Sequence, residues 1–131
     1  MMAQNLLNNI LNGGNMDRNV ILISNDPSFI FVITTIIDQL ELNLFSIEKK
    51  DSIWKEINEK KPRIVIWDFS ELTGIEKVNE KIHNYVSHDC HLILFSNAIS
   101  GLSHLKDGRL HLFEKPFSPN EISHLIKEIT S

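Results

Sequence analysis

The sequence predicts a three-layer α/β/α domain built on a five-stranded parallel sheet. Three observations carry that expectation. Short apolar runs alternate with longer segments whose apolar residues recur at helical spacing. Val20–Ile23, Ile64–Trp67 and Leu92–Phe95 are unbroken apolar runs, as expected of strands covered on both faces. These runs end on polar residues, Ser24-Asn25-Asp26, Asp68 and Ser96-Asn97, and a fourth, Leu110–Glu114, delivers Lys115-Pro116. Strands separated by helices pair in parallel. Their carboxyl ends then share one edge, where open α/β sheets place their chemistry.

In chain order, residues 1–18 stand apart: Asn5, Asn8, Asn9, Asn12 and Asn15 precede or surround Gly13-Gly14. Leu6, Leu7, Ile10 and Leu11 have helical spacing, so this stretch reads as a flexible or short-helical leader to a domain spanning 19–131. After Val20–Ile23, Asp26-Pro27 is a helix start, with Asp26 as N-cap and Pro27 at the first helical position. Phe29, Val32, Ile33, Ile36, Ile37 and Leu40 form the buried stripe of that helix. Leu42–Ile47 is a short strand. Asp51 or Ser52 caps a helix with Ile53, Trp54 and Ile57 inward, ending in Glu59-Lys60-Lys61 before Pro62. The central strand follows, to Asp68. Ile75, Val78 and Ile82 mark a helix through about Val86, and a shorter one spans about 98–106. Asp107-Gly108 turns into the last strand. Ser118-Pro119-Asn120-Glu121 is a capping box before Ile122, Leu125, Ile126 and Ile129.

Composition narrows the function classes. The chain has 131 residues and a net charge of −4, with no basic cluster, so no nucleic-acid footprint is visible. It contains one cysteine, Cys90, which excludes an internal disulfide and fits a reducing compartment. No run has the length of a membrane span, and the expected location is the cytoplasm. His83, His88, His91, His104, His111 and His124 match no zinc spacing and read as exposed residues. Trp54 and Trp67 read as packing residues, and the glycine-free Ser24–Ser28 turn excludes a dinucleotide or phosphate-loop motif.

From about Asn19 to Ser131 the chain resembles a CheY-like receiver domain of bacterial two-component signalling. Asp68 at the end of the third strand matches the phospho-accepting aspartate. Ser96, ending the fourth, matches the residue that contacts the phosphoryl group. Lys115-Pro116-Phe117 matches the motif whose lysine pairs with the acceptor and whose Lys-Pro bond is cis. The resemblance implies strand order 2-1-3-4-5. It also implies a Mg²⁺ site built from the acceptor, acids after the first strand, and a backbone carbonyl, here that of Ser70. The acids are missing, since the two family positions fall on Ser24 and Asn25. Asp26 could substitute only by a register shift and already serves as a cap. The resulting pocket is a degenerate metal site, with no metal or cofactor expected to bind well. Leu112 occupies the position where the family often has a switching aromatic.

The resemblance thus implies an atypical, or pseudo-receiver, response regulator acting chiefly as a protein-interaction module rather than an enzyme. Its signalling partners would meet residues 98–106, 110–114 and 118–130, with a homodimer through that face a further expectation. Gln4, Leu7-Asn8 and Ile10–Gly13 also resemble the short peptide by which flagellar switch proteins bind a receiver. Two alternatives stay open: a functional phosphoacceptor at Asp68, and a small flavodoxin-like ligand binder.

Overall fold

The computed structural model describes residues 18–47, 53–68, 78, 80–82, 84, 89–96 and 108–131. They form β1 (Asn19–Ile23), α1 (Pro27–Gln39), β2 (Asn43–Ile47), α2 (Ile53–Lys60), β3 (Ile64–Asp68), β4 (His91–Ser96), β5 (Leu110–Glu114) and α3 (Pro119–Thr130). Val78, Glu80, Lys81, Ile82 and Asn84 are also helical. Residues 1–17, the Asp51 or Ser52 cap, Ser70 and the expected helix at 98–106 lie outside the described residues.

All strand pairs are parallel, and the sheet order is β2-β1-β3-β4-β5. The order follows from which runs tolerate two covers. β1, β3 and β4 are almost entirely buried, whereas β2 exposes Asn43 and Ser46 and β5 exposes Glu114. Polar residues thus mark the two edges, where unpaired backbone meets water.

Strand alternation sends successive side chains into two separate cores. Val20, Leu22, Ile64, Ile66, Ile93 and Phe95 pack against Phe29, Ile33 and Ile37 of α1 and Ile122 and Ile126 of α3. On the opposite face Ile21, Ile23, Val65, Trp67, Leu92 and Leu94 meet Ile53 and Ile57 of α2, together with Ile82. Most of these side chains are fully buried, each stabilising the fold by about 1.5–3 kcal/mol relative to exposure.

The helix ends are tied in different ways. Asp26 caps α1 as expected, its carboxylate accepting the Ser28 N–H at 3.0 Å. The capping box at α3 does not form: Ser118 has the extended cap backbone, but its side chain makes no cap hydrogen bond. Ser118 is exposed, so water can serve the first-turn N–H groups instead. Glycine stops neither α1 nor α2; Glu41 (φ 58°) and Lys61 (φ 45°) take the left-handed turn. Two arginines hold helix C-termini at the amino edge of the sheet. Arg18 donates to the carbonyls of Leu40 and Glu41 at 3.1 and 3.2 Å. Arg63 donates to Ile129 O through Nε and Nη2, at 3.4 and 3.3 Å, and to Asp89 O at 3.1 Å.

Arg63→Ala removes a cation from the α3 C-terminus and three hydrogen bonds. Urea denaturation should show a loss of about 1–2 kcal/mol with an unchanged slope.

Candidate functional site

Asp68 ends a buried strand at the carboxyl edge of the sheet, and its carboxylate must find donors there. Two neighbours supply them. Lys115 Nζ, just beyond β5, donates to Asp68 Oδ1 at 2.6 Å. Ser24 Oγ, just beyond β1, donates to Asp68 Oδ2 at 2.9 Å. The Asp68 and Lys115 side chains are only 13% and 25% exposed, so their charge-assisted hydrogen bond is partly shielded from water.

Each donor is itself held. Ser24 is fully buried, and its Oγ accepts the Asp26 N–H at 3.0 Å. The same turn therefore caps α1 through the Asp26 side chain and aims the Ser24 hydroxyl through the Asp26 backbone. Lys115 N donates to Ser96 O at 2.9 Å, which fixes the start of the lysine, and Nζ sits 4.9 Å from the centre of the Phe29 ring. Phe29, Phe95 and Phe117 meet edge to face with ring centres 4.8–5.6 Å apart, giving the lysine an aromatic floor. The sequence placed Phe29 in the core stripe but offered no signal that its ring also supports Lys115.

The other expected positions fall as follows. Ser96 is buried beside the cluster, in step along β4 with Leu92 and Leu94, and no hydrogen bond among the described residues joins its hydroxyl to Asp68 or Lys115. Asn25 is exposed at the rim. Leu112 packs in the core of Ile21 and Leu94, on the sheet face that Ser96 shares. The Lys115–Pro116 peptide bond is cis. The structure thus unites Asp68, Ser24, Asp26 and Lys115 and places Ser96 alongside, while Leu112 packs in the core.

No protein-family model and no curated protein matches the chain. Solved structures do. The receiver domain of sensor histidine kinase PA1611 from Pseudomonas aeruginosa, solved with magnesium in its active-site cleft, is 14% identical, with a TM-score of 0.62 over 86% of this chain and 97% of that one. A CheY-like response regulator from Mesorhizobium loti is 21% identical, with a TM-score of 0.63 over 86% of this chain and 98% of that one. The chain has the fold of a CheY-like receiver domain. The response regulator PhyR from Brucella abortus carries the same receiver fold within a longer protein: it is 22% identical, with a TM-score of 0.64 over 97% of this chain and 56% of PhyR.

One histidine pair departs from the expectation of exposed loop residues. On this receiver sheet His91 and His111 stand on adjacent strands, half-buried, their rings stacked at 12° with centres 5.2 Å apart. His91 Nδ1 and His111 Nε2 are 3.0 Å apart, so one ring donates and the other accepts. They meet because β4 and β5 run in register with Ile93 opposite His111, which makes His91 its diagonal neighbour. Burial, then His111, Arg63 and Arg109, push the His91 imidazole down to about 4, against a smaller opposing pull from Asp89. Cys90 is buried and its thiol is pushed up to about 12 by that burial, which makes it a packing residue and not a nucleophile.

Ser24→Ala leaves the Asp26 N–H and Asp68 Oδ2 each short of a partner, and chemical denaturation should register a loss of about 1–2 kcal/mol. For the histidine pair, the folded His91 titrates near 4 and an unfolded histidine near about 6.5. The unfolded chain therefore binds more protons between these values, so stability falls as the pH drops through that window. Urea midpoints compared above and within the window should show this fall, and His91→Phe should make it shallower.

Proposed function

We propose that this chain is a signalling receiver module of the two-component type that works through protein contacts, with metal-dependent phosphorylation of Asp68 impaired. One observation carries the reading. Ser24, at a position where the resemblance calls for a metal-binding acid, instead donates its hydroxyl to Asp68 Oδ2, while Lys115 takes Oδ1.

The donor set fits Mg²⁺ poorly. That ion favours oxygen ligands, usually carboxylates, in a near-octahedral shell. Among the described residues the alternative acid beside the pocket, Asp26, is engaged with the Ser28 N–H. Among the described residues no three His, Cys, Asp or Glu side chains come together as a metal-binding group. Phosphoryl transfer to a carboxylate brings anions together and depends on positive charge already in place. Lys115 supplies one such charge, and its contact with Asp68 keeps a second reading in view, that of a working phosphoacceptor with Ser96 beside the phosphoryl group.

As an interaction module the chain offers its β5 edge and α3. Along α3, Asn120, Glu121, His124, Lys127 and Glu128 are exposed, a polar surface able to select partners by charge. Residues 98–106, the remaining part of the expected output surface, lie outside the described residues. No helix among the described residues is long and apolar enough to cross a membrane.

The deciding experiment is an amide NMR titration with Mg²⁺ followed by beryllofluoride, a mimic of the phosphorylated aspartate. The proposed reading expects little change at Asp68, Ser96 and Lys115 for the natural chain at millimolar Mg²⁺. Ser24→Asp with Asn25→Asp should restore metal binding and the beryllofluoride response. Shifts in the natural chain spreading from Asp68 to α3 would instead establish the phosphoacceptor reading.

A further inference from the structure

β2 is an edge strand, and the ladder on its inner side fixes what its outer side presents. The Ser24 N–H donates to the Ile47 carbonyl at 3.3 Å, and β1 and β2 run in register from Asn19–Asn43 to Ile23–Ile47. In a parallel ladder, alternate residues of a strand direct both N–H and C=O to the same neighbour. Asn43, Phe45 and Ile47 therefore bond to β1. Leu44 and Ser46 point theirs away from the sheet, and among the described residues no strand takes them up.

Edge strands are commonly blunted by charge, proline or a bulge. β2 has none of these: Asn43-Leu44-Phe45-Ser46-Ile47 is uncharged, and its register with β1 is unbroken. β5, at the other edge, carries Glu114. The apolar side chains of β2 are also incompletely covered on both faces. Leu44 on the α1 face, and Phe45 and Ile47 on the α2 face, are half-buried, whereas those of β1, β3 and β4 are buried.

A second copy of the same strand fits this edge. The two outward residues flank Phe45 symmetrically, so an antiparallel copy centred on Phe45 sets each Leu44 opposite the other copy's Ser46. Both become hydrogen-bonded pairs and use every outward N–H and C=O of the two residues. The two Phe45 form the close pair between them, about 4.5 Å apart at Cα. Opposite residues in such a pair share a face, so the rings meet on the α2 side. There Lys60 Nζ stands 4.7 Å from the centre of its own Phe45 ring. An uncharged strand can face itself without setting like charges directly opposite.

We infer that two copies of this chain join antiparallel through β2, centred on Phe45, and so extend two five-stranded sheets into one. The seam lies on the opposite edge of the sheet from β5 and leaves Asp68 untouched, so it stands apart from the signalling reading.

The test uses the full chain, by sedimentation velocity over a concentration series together with amide hydrogen exchange. The expected result is a species of twice the mass of one chain at high concentration. As it forms, the Leu44 and Ser46 amides should become protected, while those of Phe45 and Ile47 are protected throughout. The seam brings two Lys60 ammoniums near each other, so added salt should tighten the pair. Ser46→Pro removes an outward donor, and Ser46→Lys adds the charge that natural edges use against pairing. Ser46 is exposed, so both changes spare the core. Each should return the chain to a monomer at concentrations where the natural chain is paired, with the Phe45 and Ile47 amides still protected. A natural chain that stays monomeric overturns the inference. So does a dimer whose Leu44 and Ser46 amides exchange freely, one that salt loosens, or one that survives both substitutions.

Discussion

A carboxylate at the end of a strand covered on both faces has little water to lean on, so the protein must supply its donors. Asp68 receives one from each side of the sheet: the Ser24 hydroxyl from β1, its immediate neighbour, and the Lys115 ammonium from β5, reaching past β4. Much of the local architecture follows from that requirement. The turn after β1 must aim Ser24, and it does so while capping α1 with the next acid. The chain leaving β5 must aim Lys115, and it does so through a backbone bond to Ser96 and a seat over Phe29. Neither donor is free to swing without disturbing a helix start or an aromatic cluster.

The fold was legible in the sequence because its strands are unambiguous. Runs such as Ile64–Trp67 have one physical use, burial between two helical layers, and their polar ends set the direction of the edge. The site was legible in part. Asp68, Lys115 and Ser24 sit at strand ends, and parallel pairing brings strand ends together whatever the loops do. What escaped were contacts made by geometry across strands. The His91–His111 stack needs the β4–β5 register, which no local pattern encodes. The seat of Lys115 on Phe29 needs α1 and β5 to share a face, and Phe29 reads in sequence only as one more residue of an apolar stripe. The ends of α1 and α2 were placed within a residue or two. Their mechanism was hidden, because Glu41 and Lys61 do what glycine usually does. The α3 capping box shows the opposite error: the motif is present and the hydrogen bond is not.

The exposed face of α1 and the buried face of the same helix make a useful contrast. Inward, Phe29, Ile33, Ile36 and Ile37 specify a single packing against the sheet. Outward, Phe31 has no such constraint and satisfies no folding need. A large apolar side chain left in water at that position carries a cost in solubility.

The two arginines at the amino edge of the sheet give the molecule a mechanical character. Arg18 secures the far end of α1 and Arg63 the far end of α3, while the near ends of both helices lead directly from the Ser24 turn and from Lys115. Both helices are thus fastened at the base and joined to the carboxylate cluster at the tip, like two levers with fixed pivots. A small displacement at Asp68 would be transmitted as a tilt, largest at the pocket and smallest at the arginines. In such a body, the place where a partner grips α1 or α3 along its length sets how strongly it feels the state of the pocket.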